Sequence, residues 1–206
     1  MKYIDISMPI YPGMMVYKNK PEKQPVLKAN DQLSKGGSFE TSLEMNLHTG
    51  THMDFPKHMQ AEGATATNFK PETLLTMVRV IDCGQTTLID ANFLHAQKLK
   101  ANEFILFKTL SSESSTFLPQ FPYLTKDGAA FCVEQKLSGI GIDSLGIERD
   151  QPHHETHHLL MNAGILIIEG LRLKGVPAGQ YQMIALPLSI PEVDALPIRA
   201  LLVQPT

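Results

Sequence analysis

Residues 48 to 58 read His48-Thr49-Gly50-Thr51-His52-Met53-Asp54-Phe55-Pro56-Lys57-His58, which puts three imidazoles and a carboxylate within eleven residues. Such a set is hard to account for as packing, and any fold of this chain must place it where polar groups find partners. Imidazole nitrogen and carboxylate oxygen are ligands for Zn²⁺, Mn²⁺ and similar divalent ions. The stretch therefore points to a metal site. Just upstream, Leu43, Met45 and Leu47 alternate with polar residues, the period of a half-buried strand over 41–48. The even register runs on through Gly50, His52, Asp54 and His58, so one face would carry the ligand-type side chains. In a straight strand, at roughly 3.3 Å per residue, His48 and His52 would stand about 13 Å apart. That is too far for one ion, so a bend between them is required, and Gly50 supplies it at little steric cost. Pro56 forbids a central-strand continuation and turns the chain toward His58. A His-x-x-x-His pair also fits one helical face, but Thr49, Gly50, Thr51 and Pro56 make a poor helix and no Glu follows His48.

A second concentration lies downstream. His153-His154-Glu155-Thr156-His157-His158 opens a helix expected over about Glu155 to Ala163, stopped by Gly164. Ile165-Leu166-Ile167-Ile168-Glu169 then sets one carboxylate at the tip of an apolar strand, where burial demands a cation. In the helical phase, Leu160 and Gly164 follow His157 at i+3 and i+7 on the stripe expected to face the sheet. His157 therefore points toward Glu169 and His158 leans away. His95, His153, His154 and His158 read as surface or supporting groups rather than ligands.

Between these regions the chain alternates. Met77 to Cys83, Phe104 to Lys108, Ile140 to Asp143, Ile165 to Ile168 and Ile198 to Val203 read as strands. Asp90 to Leu99 and Thr125 to Leu137 read as helices, with Asp90 and Thr125 as caps. Before them, Lys2 to Ser7 reads as a strand, Tyr11-Pro12-Gly13 as a turn, 21–25 as an exposed loop, and 111–116 as a Ser-rich loop. The pattern predicts a single α/β domain over 1–206, helices covering a sheet. With 43% hydrophobic and 19% charged residues and a net charge of −3, neither nucleic acid nor an anionic membrane is expected as a partner. Asp5 and Glu22 lie near the start, no stretch resembles a signal peptide or membrane span, and Cys83 and Cys132 read as a reduced buried pair. A cytoplasmic protein with a small-molecule substrate is the expectation. Ser144 lies in Gly141-Ile142-Asp143-Ser144-Leu145-Gly146, which is no nucleophile elbow, and no dinucleotide fingerprint exists.

The eleven residues 48–58 resemble the His-x-Gly-Thr-His-x-Asp-x-Pro-x-His signature of the cyclase-like metal-dependent hydrolases, which include bacterial kynurenine formamidase and isatin hydrolase. Ile4-Asp5-Ile6-Ser7, Gly141-Ile142-Asp143-Ser144, His157-His158-Leu159-Leu160 with Gly164-Ile165 and Glu169, and Leu196-Pro197-Ile198-Arg199-Ala200 are similar to other stretches of that family. The resemblance implies a swivelling β/β/α type of domain with a small mixed β-barrel-like core, assembled as homodimers or homotetramers. It implies two divalent ions, zinc first and manganese second: His48 and His52 on one, His157 on the other, Asp54 and Glu169 bridging. His58 would be a non-ligand acid/base. The implied reaction is hydrolysis of a small amide or formamide C–N bond by a metal-activated hydroxide, first of all an arylformamidase cleaving N-formylkynurenine to kynurenine and formate. Isatin hydrolase, lactone hydrolase and cyclase or dehydratase are alternatives on the same core, and a metal-binding scaffold without turnover is the non-enzyme alternative. Kynurenine formamidases carry a Trp-Pro-Gly-Asp element after the opening strand. Here the stretch set against it is Val16-Tyr17-Lys18-Asn19-Lys20-Pro21 and the chain has no Trp, so Tyr17 is the expected stacking wall for substrate.

Overall fold

The computed structural model describes residues 2–204. Its strands are β1 (Lys2–Asp5), β2 (Val26–Asp31), β3 (Phe39–Glu44), β4 (His52–Asp54), β5 (Leu75–Asp82), β6 (Leu88–Ile89), β7 (Phe104–Lys108), β8 (Tyr123–Leu124), β9 (Gly139–Ile142), β10 (Leu166–Glu169), β11 (Gly179–Pro187) and β12 (Ala195–Gln204). Its α-helices are α1 (Ala91–Ala96), α2 (Lys126–Glu134) and α3 (Glu155–Asn162). Strands β12, β11, β5, β7, β9, β10 and β4 pair in that order, and β4 returns to β12 to close a seven-strand barrel. Closure is possible because β12 is long: its start pairs with β4 and its end with β1 along one edge, while β11 takes the other. Strands β5, β7, β9 and β10 are parallel, and β4 and β11 run antiparallel to their neighbours.

Period-2 alternation explains why the parallel strands look continuously apolar in sequence. In β7, Phe104 and Leu106 join one core with Val78, Val80, Met183, Ala200 and Leu202, which fills the barrel. Ile105 and Phe107 join a second core with Leu94, Ala129, Cys132, Leu160 and Met161, beneath the helices. Both faces are buried, so no polar residue alternates in. On β9 a Cβ at Gly139 would lie 2.2 Å from the Phe104 ring, and one at Gly141 would lie 2.6 Å from Leu106. These two glycines make the room that the barrel's large side chains fill.

The mixed α/β domain expected from alternation is what forms. Asp90 caps α1 by accepting from Phe93 N, and Thr125 caps α2 by accepting from Gly128 N. Both helices are shorter than expected, ending at Ala96 and Glu134. Cys83 and Cys132 are free and buried, and burial pushes both thiols up, so neither is a ready nucleophile. No helix of the described residues is long and apolar enough to cross a membrane.

One expectation is corrected. The half-buried strand over 41–48 is instead β3, ending at Glu44, and it forms with β2 a two-stranded hairpin exposed along both strands. Alternation showed that one face is apolar but not that nothing in the chain covers it. Asn46 ends the strand: its Oδ1 accepts from His48 N at 2.9 Å and its carbonyl accepts from Thr49 N at 3.0 Å.

Phe107 is wholly buried between β7 and the helices. Phe107→Ala should lower unfolding free energy by about 3–5 kcal/mol in denaturant titration. A change within about 0.5 kcal/mol, the range of a surface substitution, would contradict this packing.

Candidate metal centre

The site is assembled by strand register. In β4, His52 and Asp54 share one face, and Met53 points the other way into the barrel core. Glu169 lies directly across from His52 in β10, and Asp54 lies across from Ala195 in β12. Two carboxylates and an imidazole thus meet on the outer face of the barrel, toward α3. His157 enters from α3 and is buried, while His158 is half-buried, as the helical phase requires. The bend expected at Gly50 is present: its φ is +74°, and the His48 and His52 ring centroids are 5.0 Å apart. The turn is pinned from behind. Thr51 Oγ1 donates to Gly170 O at 2.6 Å and accepts from Met8 N at 2.7 Å, and a Cβ at Gly170 would meet Gly50 O at 2.4 Å.

The donor atoms converge. His48 Nδ1 is 2.9 Å and His52 Nε2 3.3 Å from Asp54 Oδ1. His157 Nε2 is 3.7 Å from Asp54 Oδ2 and 3.4 Å from Glu169 Oε1, and His52 Nε2 is 3.6 Å from Glu169 Oε2. His52, Asp54 and Glu169 offer ligand atoms all within 4.8 Å of one another. Yet His52 Nε2, both ring nitrogens of His157 and both Asp54 oxygens are sealed from solvent without a hydrogen bond of acceptable geometry. Polar atoms buried so closely together and left unsatisfied are the mark of a cation site, and the donor set suits a divalent metal.

Each imidazole is oriented from outside. Gly50 O lies 3.0 Å from His52 Nδ1, Glu148 Oε1 lies 2.8 Å from His157 Nδ1, and Asp194 Oδ2 lies 3.0 Å from His48 Nε2. With those nitrogens facing acceptors, the other nitrogen of each ring is free to ligate. Glu148 also meets His154 Nδ1 at 2.6 Å, so His154 supports the site although half its side chain is exposed. Glu148 and Asp194 were missed from sequence. Their only signal was position, Glu148 after the β9 strand tip and Asp194 before the closing Pro-x-Arg-Ala.

Electrostatics agree with the geometry. Burial alone would raise the Asp54 carboxyl, but His52, His157 and His48 override it and hold it well below the usual carboxylate range. Burial opposes charge on His157, and Asp54, Glu148 and Glu169 outweigh it, keeping its imidazolium well above the ordinary value. Without a metal, protons do the work of the cation. His58 differs. It stacks on His48 at 4.0 Å between centroids, with Nδ1 3.5 Å from Asp194 Oδ2, and burial pushes its pKa down toward the neutral ring.

The centre opens into a cavity of about 710 Å³ lined also by His58, Tyr17, Lys20, Lys23 and Arg149. Tyr17 packs edge-on against Phe117 and Phe121 at 5.6 and 6.2 Å between centroids. As a pattern, Tyr11-Pro12-Gly13 matches Trp-Pro-Gly more closely than 16–21 does, but Tyr11 is exposed and absent from the cavity wall. Ser144 is buried, its Oγ donating to Pro122 O at 2.6 Å and 2.7 Å from Ser111 Oγ, so it is spent on structure.

A protein-family model for Cyclase, described as "Putative cyclase", matches residues 4–149. Kynurenine formamidase of Bacillus cereus (strain ATCC 10987 / NRS 248) is 31% identical over 205 residues, which cover 98% of this chain and 97% of that relative. A solved structure described as a potential metal-dependent hydrolase with cyclase activity superposes with a TM-score of 0.91 at 40% identity, over 99% of each chain. Isatin hydrolase A of Labrenzia aggregata, at 22% identity, shares the fold with a TM-score of 0.84 over 98% of this chain and 93% of its own.

His157 and His158 are adjacent but differently aimed, so they separate the metal centre from its surroundings. His157→Ala should lose bound metal on elemental analysis, and His158→Ala should retain it. Equal loss from both variants would show that α3 is rotated from the phase described.

Proposed function

The chain belongs to the Cyclase family, and from that premise we propose that it is a metal-dependent hydrolase of aryl formamides, with N-formylkynurenine as substrate and kynurenine and formate as products. The observation that carries this reading is the convergence of His52 Nε2, His157 Nε2 and both Asp54 oxygens, buried and unsatisfied, with the buried Glu169 carboxylate beside them at the floor of an open cavity. Full-length similarity to a kynurenine formamidase supports the choice of substrate.

His48, His52, Asp54, His157 and Glu169 would hold two divalent ions, zinc or manganese. When bound, the ions supply a polarised carbonyl and a water acidified to near neutral pH. The chain's own residues do the rest. Asp54 and Glu169 set the spacing, because both are anchored in paired strands. Glu169 Oε1 also accepts from Ile147 N at 2.6 Å, which fixes its carboxylate. His58 is the acid/base: its Nδ1 faces Asp194, leaving Nε2 to take the proton that the attacking water gives up and pass it to the departing aniline nitrogen. Burial pushes its pKa down, toward the neutral ring that accepts a proton. Tyr17 forms one wall against the aryl ring.

The protein works as a homodimer or homotetramer in the cytoplasm. Val26, Leu27, Leu33, Phe39 and Leu43 are exposed along and around the β2–β3 hairpin, and a lone hairpin is marginal in water without a partner. The free buried thiols suit a reducing compartment.

Purified protein should release formate from N-formylkynurenine. His58→Ala should lower turnover by roughly 10²–10⁴-fold, the contribution of a positioned acid/base, with metal content unchanged. Loss of metal in that variant would make His58 a ligand. Turnover of isatin or a lactone, with none on any formamide, would replace the proposed substrate.

A further inference from the structure

Tyr17, Lys18, Lys20 and Lys23, all on the loop between β1 and β2, line the cavity. The ends of that loop are fastened. Gln24 Oε1 accepts from Gly13 N at 3.0 Å and Gln24 Nε2 donates to Met14 O at 2.9 Å, so one carboxamide staples the two ends of 13–24 together. Met14 and Val16 are buried in a small core with Met8, and Thr49 Oγ1 donates to Lys23 O at 2.7 Å, beside the metal-site turn. A short loop whose ends are joined in this way is an Ω-loop.

Between its fastened ends the loop is loosely held. Residues 18–22 are exposed, and among the described residues the backbone of 17–22 hydrogen-bonds only within the loop. Its ion pair, Lys20 with Glu22 at 3.9 Å, and the Lys18 ammonium over the Tyr17 ring at 5.3 Å are internal too. Lys18 and Asn19 are successive non-glycine residues with φ of +54° and +51°, the left-handed region that side chains disfavour. Tyr17 reaches out of the loop. Its ring lies edge-on to Phe117 and Phe121, and a Cβ on Gly146, after β9, would lie 3.5 Å from Tyr17 Cε2. An exposed body with few ties beyond itself is the kind of segment that opens locally while the rest stays folded.

We propose that residues 17–23 are a lid on the metal centre, with the stapled ends as its hinge and Tyr17 as its latch. Seated against Phe117 and Phe121, the Tyr17 ring completes the cavity wall; lifted, it opens the way to the floor. A ligand that touches Tyr17 binds the seated state better and shifts the population toward it. Closure holds substrate against the centre and opening releases product, the work that cavity lids do in other enzymes. The proposal deepens the formamidase reading and rests on it only for the choice of kynurenine as the probe.

Amide hydrogen exchange, read by mass spectrometry on the metal-loaded enzyme, tests this in wild type and in Phe117→Ala. Phe117 is half-buried and absent from the cavity wall, so its truncation removes the seat of the latch and leaves the ligand's own contacts. Phe117→Leu serves if that variant does not fold. In wild type, kynurenine at about ten times its Kd should slow exchange across 17–23 about tenfold. The β2–β3 hairpin, equally exposed but outside the cavity wall, should not change. Phe117→Ala without ligand should speed exchange across 17–23 alone by about threefold to tenfold, the factor that one aromatic contact is worth. If kynurenine binds by calorimetry but leaves 17–23 unchanged, or slows the hairpin equally, the lid is overturned and the formamidase reading stands. If Phe117→Ala leaves 17–23 unchanged, or speeds exchange throughout the chain, Tyr17 is no latch and the lid is again overturned. If kynurenine does not bind and no formamide is cleaved, the formamidase reading falls. The lid then stands or falls on Phe117→Ala, which needs no ligand.

Discussion

Two carboxylates buried side by side do not both stay charged unless a cation answers them. Asp54 has no exposed side-chain surface and Glu169 is 7% exposed, and the cost of taking such charges from water is several kcal/mol each. In the bare protein these carboxylates, against the cost of burial, raise the pKa of His52 and His157, but imidazoles able to shed protons are also ligands. The same set of atoms is therefore an electrostatic liability and a metal centre, according to what fills it. Everything around it serves to hold it in place.

The fold does this through one short strand. β4 contributes only His52, Met53 and Asp54, yet it closes the barrel between β10 and β12. Its alternation sends Met53 into the core and two ligand-type side chains out, and its two neighbours deliver Glu169 on one side and Asp194 on the other. The Gly50 turn brings His48 back over the strand, and α3 lays His157 across its outer face. A barrel that must close through β4 fixes the spacing of the donors, so the geometry of the centre is a consequence of the core that lies behind it.

Much of this was legible in the sequence, because it rests on local periodicity. The Phe104–Lys108 strand, the Asp90 and Thr125 caps, the bend at Gly50 and the inward phase of His157 all follow from spacing and turn chemistry. Three features were hidden, each for a physical reason. The β2–β3 hairpin carries a strand pattern, but burial depends on what packs against it, and pattern cannot show that. β11 was missed because Gly179–Pro187 alternates across a run beginning in glycine and ending in proline. Asp194 lies 146 residues from His48 and only strand register brings them together, and Glu148, nine residues before His157, reaches it through an irregular loop whose path no periodicity shows.

The buried, unsatisfied atoms of His52, Asp54 and His157, with the Glu169 carboxylate beside them, are the candidate metal centre that the fold holds in place. The most direct measurement is elemental analysis of the purified protein, followed by chelation and re-addition of Zn²⁺ or Mn²⁺ while thermal unfolding is recorded. Up to two divalent ions per chain are expected, with a lower unfolding temperature after chelation and its recovery on re-addition. A protein that carries no transition metal and whose unfolding temperature is unmoved by either ion would contradict it.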